Sequence, residues 1–437
     1  MNLALPSVRA PRRSVRIGAS LALLASGACT HPVSNATPGD VATTRDDRAK
    51  PSAAEAEEGD LPPGRVTIDD PGIFSIPLES GVLPIVRCEL DGAASRFALL
   101  DTGAEGSLIS PSQAGRMRCE RRKMEPLVVS SPSAAAEMDT YLRVPQVLLG
   151  LMKIRDPSLP VAALPLDLDC LLGSGVLTQT TMWMEAKSRR VTFGSVSRIE
   201  EAVRKKHPGD TLTDVRLTPA QRLFTLVVET GSGPMKLLLD TGAMRTMVNP
   251  LAMKVRNVDP TYTHEGYFED FASARTGELE FFRIRDVKLG EWTFDVDAVG
   301  QSGPLFDELQ LDGILGFDVL GRIPWVFDPA ATRIVVVSPP GGDAGHLPIG
   351  SDDPEADLRR MCADTYEPFT LAALGTISIA HEPSYLDIAG PLLADPRSRV
   401  GEMAAYAIMK TLGEKWRDDE MHHAAIQWWR QRDPSEK

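Results

Sequence analysis

Residues 97–110 read FALLDTGAEGSLIS, and residues 236–249 read KLLLDTGAMRTMVN. In both, a short aliphatic run ends on Asp-Thr-Gly-Ala. Such a repeat constrains the fold more than any other feature, because one supersecondary unit must be built twice and each copy must bury its apolar face. The match continues downstream in the same order. VPQVLLG, ending at Gly150, answers to IRDVKLG, ending at Gly290. LDCLLGSGVL around Gly173 answers to LDGILGFDVL around Gly316, and Trp183 to Trp325. The offsets stay between 139 and 143 residues. The body therefore reads as a tandem duplication, 65–198 and 208–338, joined over 199–207 by part of the charged stretch SRIEEAVRKKHPGD.

Within each copy the local pattern is that of strands. RFALLDTG and KLLLDTG are apolar runs stopped by Gly, as expected of strands covered on both faces. RLFTLVVET, LEFFRIRDVKLG, WTFDVDAVG and TRIVVV alternate or run apolar over strand lengths, with Gly, Pro, Asp and Asn between them. Helical periodicity is scarce before residue 354. The expectation is a mainly β body made of two lobes, followed by a small α-helical module.

A lone Asp-Thr-Gly is more often a turn than a site. Two copies in matched strand context, each followed some seventy residues later by two aliphatics and a Gly, make the turn reading improbable. The chain resembles the aspartic peptidases. The Ala after the motif and the short lobes are similar to retropepsins, while two lobes in one chain are similar to pepsin. The resemblance covers the two copies and neither end of the chain. It implies two retropepsin-like β lobes in a pepsin-like bilobal arrangement. It also implies Asp101 and Asp240 as the catalytic pair, with Leu171, Leu172, Gly173, Ile314, Leu315 and Gly316 as the strands that support the two Asp loops. Thr102 and Thr241 would hydrogen-bond across the lobe interface and support the pair without reacting.

The chemistry gives the repeat its reason. Peptide hydrolysis without a covalent intermediate needs a base to activate water and an acid to protonate the carbonyl oxygen and then the leaving nitrogen. Two adjacent carboxylates supply both, since like charges a few ångströms apart share one proton. Gly103 and Gly242 let the backbone turn tightly and approach its neighbour without a Cβ clash. Ala104 and Ala243 stand where pepsin-type motifs often carry Ser, and the alanine side chain donates no hydrogen bond to the carboxylate. This predicts an activity optimum less acidic than pepsin's, mildly acidic to near neutral.

The resemblance also implies a hairpin flap over the substrate. The candidate stretches are 130–141 and 265–278, with Tyr141, Tyr267 and Phe268 as cleft residues, although aromatics in a β lobe more often serve the core. No cofactor is expected. The seven histidines show no metal-ligand spacing, and no P-loop, dinucleotide fingerprint or Gly-x-Ser-x-Gly elbow occurs. Cys170 has Gly313 as its counterpart and no His near it in sequence, so it is a poor nucleophile. Cys88, Cys119, Cys170 and Cys362 permit three full disulfide pairings or four free thiols. A net charge of −13 argues against nucleic acid as a partner.

The two ends read differently. Arg9, Arg12, Arg13 and Arg16 precede an uncharged apolar run that ends Ser-Gly-Ala-Cys, in the order of a secretory signal over 1–29. Its end resembles a bacterial lipoprotein signal with Cys29 as the lipidated residue, departing from that pattern at Ser26. The expectation is an exported outer-membrane lipoprotein facing the periplasm or the cell surface, with a secreted or soluble periplasmic protein as the alternative. Residues 30–64, rich in Pro, Ala, Ser, Thr and charge, bury too little to order themselves and read as a tether. From 354 the pattern predicts helices over 354–363, 367–380, 384–394, 397–413 and 417–431, with Asp395-Pro396 as a start and Gly413 as a stop. LAALG and IMKTLG, 38 residues apart, make this module (350–433) similar to a pair of HEAT repeats. Such a short array is expected to dock on the lobes or on a protein partner. Trp416, Trp428 and Trp429 are weighed as its core ahead of its docking surface. Two functions follow: an endopeptidase acting on polypeptides, or a peptidase-fold scaffold that holds a peptide and recruits a partner through the helical tail.

Overall fold

The computed structural model describes residues 21–22, 64–68, 72–79, 83–92, 96–130, 135–164, 168–185, 188–269, 274–339, 354–363, 367–380, 382–414 and 420–432. Cys29, almost all of the signal and tether, and Trp416 lie outside them. The chain divides into two compact units, one spanning 21–357 and one that takes in 358–437.

In the larger unit, each Asp-Thr-Gly follows a buried strand. Arg96–Leu100 carries Ala98, Leu99 and Leu100, and Met235–Leu239 carries Leu238 and Leu239, all with no exposed surface. Covered on both faces, these strands are continuous rather than alternating in pattern. Each is flanked in the same way. Arg96–Leu100 runs antiparallel to Ile85–Leu90 and parallel to Cys170–Leu172, with Leu99 facing Leu171. Met235–Leu239 runs antiparallel to Leu223–Val228 and parallel to Gly313–Leu315, with Leu238 facing Ile314. The chain leaves each Asp loop through a two-residue strand, Leu108–Ile109 or Met247–Val248, which pairs antiparallel on the other side of the same support strand. A one-and-a-half-turn helix follows in both copies, Pro111–Arg116 and Pro250–Val255. The Ser110 hydroxyl accepts the Gln113 N–H, the Asn249 side chain accepts the Leu251 N–H, and Pro stands near each helix start.

Around these cores the copies differ. In the first copy the strands form a seven-stranded sheet and a separate three-stranded sheet. In the second, eight strands ending at Thr218–Ala220 form one sheet, with Leu21–Ala22 from outside the copy added at its other edge as a ninth.

A further antiparallel sheet of six strands is shared by the two copies. Its order is Thr211–Arg216, Arg333–Ser338, Trp325–Asp328, Thr181–Glu185, Arg190–Gly194 and Ile73–Pro77. Three strands come from each copy in mirrored order, and the central seam sets Trp183 against Val326 and Met184 against Trp325. The matched tryptophans thus mark the seam between the repeats. Trp325 is fully buried and donates its Nε1 proton to the Leu320 carbonyl at 2.8 Å.

The sequence reading made 199–207 a connector. The structure instead has a helix from Val196 to Lys206 that seats Ile199 and Val203 on Trp183, Val326, Val335 and Val337. Arg333 ties this helix to the shared sheet, with Glu200 at 2.8 Å, Asp214 at 2.9 Å and Asp328 at 3.0 Å. Ile199→Ala is expected to cost about 2–4 kcal/mol, the range for emptying a buried aliphatic site. Urea denaturation tests this: the midpoint should fall with the slope unchanged, and an unchanged midpoint refutes it.

The other unit is helical, with helices Glu367–Ala380, Ser398–Leu412 and Met421–Arg432 and a run of short helical turns from Pro383 to Ala394. Helix Pro354–Cys362 leads into it. Asp395 Oδ1 accepts the Arg397 N–H ahead of Ser398–Leu412, and Gly413, at φ +70°, ends that helix. Gly375 lies inside Glu367–Ala380, so the two glycines aligned in the proposed repeat occupy different positions in their helices. Trp429 is buried and so close to Gly390 that a Cβ there would strike the indole, a core role. No helix among the described residues is long and apolar enough to cross a membrane.

Candidate active site

The two Asp loops meet, and each is held from behind by its own copy. Asp101 N–H donates to the Leu172 carbonyl at 2.9 Å, and Asp240 N–H to the Leu315 carbonyl at 3.2 Å. The next residue in each support strand is glycine for a steric reason. A Cβ on Gly173 would strike the carbonyls of Gly106 and Ala104, and one on Gly316 would strike the backbone of Arg245 and Thr246. That close approach allows Gly173 N–H to donate to Ser107 Oγ at 3.1 Å and Gly316 N–H to Thr246 Oγ1 at 3.2 Å. Ser174 N–H then reaches the Ala104 carbonyl at 2.6 Å, and Phe317 N–H reaches that of Ala243 at 2.7 Å.

Between the copies the threonines form a reciprocal grip. Thr102 Oγ1 accepts the Thr241 N–H at 3.0 Å and donates to the Leu239 carbonyl at 2.9 Å. Thr241 Oγ1 accepts the Thr102 N–H at 3.0 Å and donates to the Leu100 carbonyl at 2.7 Å. Both threonines are fully buried. With no water to compete, the four bonds fix the two loops against each other.

The grip brings the carboxylates together. Asp101 Oδ1 accepts N–H bonds from Gly103 at 2.9 Å and Ala104 at 3.0 Å, and Asp240 Oδ1 accepts them from Gly242 at 2.8 Å and Ala243 at 3.0 Å. A Cβ on Gly103 would collide with the Asp240 carboxylate, and one on Gly242 with that of Asp101. Both aspartates are fully buried. Burial first, and then the charge of Asp101, hold the Asp240 carboxyl well above the usual carboxylate range, against the opposing pull of the Ala243 and Gly242 amides. Two carboxyls so placed titrate as a pair.

Several supports of this site went unnoticed in the sequence. Ser107 and Thr246 each stand six residues after their aspartate, so the repeat itself carried that signal. Ser174 Oγ donates to the Thr102 carbonyl at 2.7 Å, whereas Phe317 occupies the matching place in the second copy. Asp318 Oδ1 accepts both the N–H and the hydroxyl of Thr246 at 2.8 Å.

Of the proposed cleft aromatics, only Tyr141 has a described side chain. Hairpins stand at both flap positions, 120–130 with 135–143 and 262–269 with 274–289, and each follows the short helix of its copy. Their tips, 131–134 and 270–273, lie outside the described residues, as do the side chains of Tyr267 and Phe268. Tyr141 lines a separate pocket among arginines. The four described cysteines are free thiols, and Cys88 Sγ lies 3.7 Å from Cys170 Sγ in the first-copy core. The hydrogen bond to Cys88, followed by burial, pushes the Cys170 thiol well above its ordinary range, which makes it a poor nucleophile. Among the described residues no cluster of His, Cys, Asp and Glu has metal-binding geometry.

No family model and no curated protein matches this chain. Among solved structures it is similar to the aspartic proteinase from Irpex lacteus, at 16% identity and a TM-score of 0.36. That likeness covers 61% of this chain and 97% of that one. It is also similar to conglutin gamma, a unique basic 7S globulin from lupine seeds, at 13% identity and a TM-score of 0.36, covering 61% of this chain and 95% of that one.

Proposed function

We propose that this chain is an aspartic-type endopeptidase in which Asp101 and Asp240 share one proton. The observation that supports this most is the meeting of two fully buried carboxylates from the two copies, each so close to the other loop's glycine that no Cβ fits between. A structural role alone does not require two acids there, since burying a like-charged pair costs stability.

In the proposed reaction the ionised carboxylate takes a proton from water while the water oxygen bonds to the carbonyl carbon. The protonated carboxyl gives its proton to the carbonyl oxygen, yielding a tetrahedral diol. The proton held by the first carboxylate then passes to the amide nitrogen, the C–N bond breaks, one diol hydroxyl returns its proton to the second carboxylate, and an acid and an amine leave with the shared proton restored. The threonine grip keeps the two carboxyls in register through both proton transfers. Because neither carboxylate reaches solvent, a peptide and the water must be admitted by movement of what covers them. The lipoprotein-like signal and the tether over 30–64 support an exported, membrane-held enzyme, which the mass of the mature N-terminal peptide from cells tests.

The deciding experiment incubates the full chain and Asp240→Asn with a diverse peptide pool across pH. New fragments from the wild type alone support the peptidase. Identical patterns from both proteins at every pH leave the scaffold reading in its place.

The fourth letter of the motif sets the pH range. Neither alanine side chain can donate to a carboxylate, so the dyad lacks a side-chain bond that would favour its ionised form. Ala104→Ser with Ala243→Ser is expected to move the acid limb of the pH–rate profile down by about one unit, the size of a charge-assisted hydrogen bond. A limb that stays put or moves up contradicts this role for the alanines.

A further inference from the structure

We propose that the first copy carries a second site, distinct from the aspartate pair, that binds a phosphate-bearing ligand. It is a cavity of about 500 Å³ whose lining includes Arg65, Arg122, Arg143, Arg155, Tyr141 and Ser158. That volume is within the range of small-molecule sites, roughly 300–1,000 Å³. Four arginines line it, on a chain whose net charge is −13. Among the described residues of the lining the one carboxylate is that of Asp156. Glu120, just outside, engages Arg122 through two bonds of 2.7 and 2.9 Å.

The strand register makes the cluster more than a surface accident. Arg65 and Arg155 are direct cross-strand partners on neighbouring antiparallel strands. Like charges directly opposite each other destabilise a sheet, and an anion seated between them removes that cost. The neighbouring strands add to the same wall: Arg122 faces Tyr141, and Arg143 faces Ser158 on one side and Glu120 on the other. The wall is also fixed in place. Gln179 accepts the Val66 N–H at 3.0 Å and donates to the Gly64 carbonyl at 2.9 Å. Gly64, at φ +89°, turns the chain where a Cβ would strike Ile154 and the Arg155 carbonyl.

The chemistry of the wall selects phosphate. A guanidinium presents a planar fork that matches phosphate oxygens two at a time. A phosphate monoester carries close to two negative charges at neutral pH and offers enough oxygens for several forks, whereas a single carboxylate occupies one. Tyr141 supplies a flat face for a ring or glycerol portion beside the phosphate. Such a group comes either on a soluble small molecule or on the headgroup of an anionic lipid, and the shared chemistry is the same.

The test uses the full chain, with inorganic pyrophosphate in titration calorimetry and vesicles of phosphatidylcholine with or without phosphatidic acid in sedimentation. Saturable binding is expected, weakened about tenfold or more in Arg65→Gln/Arg155→Gln and by added salt. Arg143→Gln, on a different strand, is expected to weaken it independently. Binding of pyrophosphate alone assigns a soluble ligand. Sedimentation with phosphatidic acid, lost in the double variant, assigns a lipid headgroup. Without ligand, the double variant is expected to melt no lower than the wild type, because it loses a repulsive pair. The proposal is overturned if neither probe binds saturably, if both variants bind like the wild type, or if the ligand-free double variant melts lower.

Discussion

Asp240→Asn is expected to slow peptide hydrolysis by about a thousandfold or more, within the range for removing a general acid–base group. It should leave the protein folded. The amide keeps an oxygen for the Gly242 and Ala243 N–H bonds now made to Oδ1 and fills the same volume. What it cannot do is exchange a proton with Asp101. The same substitution has a signature in stability. The Asp240 carboxyl is held well above its ordinary range in the folded state, so its neutral form is favoured by folding. That contribution is fully present below the unfolded carboxylate pKa, about 4. It is lost as pH rises through the raised folded value. Wild type should therefore lose stability from mildly acidic pH upward, and the variant should lose less. Urea midpoints measured for both from acidic to alkaline pH check this, and parallel curves would count against a raised pKa at this site.

Thr102→Val should have the largest effect on stability. The side chain keeps its shape and loses its hydroxyl, which leaves the Leu239 carbonyl and the Thr241 N–H without the partners they have at 2.9 and 3.0 Å. Each buried orphan costs about 1–3 kcal/mol, so roughly 2–5 kcal/mol is expected in all. Thr241→Val should cost about as much through Leu100 and the Thr102 N–H. The double variant should cost less than the sum, since loops loosened by the first loss no longer hold the second pair of bonds in line. Chemical denaturation of the four proteins measures this. Strict additivity, or a single variant as stable as wild type, excludes a coupled grip. Activity should fall in both singles, because the carboxylates are aligned through the same bonds.

How much of this was legible in the sequence depended on whether an interaction is local or repeated. The Asp loops and their support strands could be read because Leu-Leu-Gly and Ile-Leu-Gly recur some seventy residues after each Asp-Thr-Gly. Most of the late helices could be read from periodicity and from stops such as Gly413. The shared sheet could not, because Trp183 and Val326 face each other from different copies and no local pattern records which strand finds which partner. The helix over Val196–Lys206 was hidden by its charges. The signal was there in Ile199 and Val203, one turn apart, but a run with so many ionic residues resembles a connector. The arginine pocket was least legible: its residues come from several strands and only the fold collects them.

The shared sheet also says something about how such a chain can be divided. Each copy supplies three consecutive positions of the six, and the seam runs along Thr181–Glu185 and Trp325–Asp328. Cut between the copies, the first half would expose the whole edge of Thr181–Glu185, a bare row of amides and carbonyls over a fully buried strand. Its natural remedy is a second copy of itself across the same seam. A separated half is thus expected to come off a sizing column as a dimer or an aggregate, and the covalent link between repeats acts as protection against self-templating.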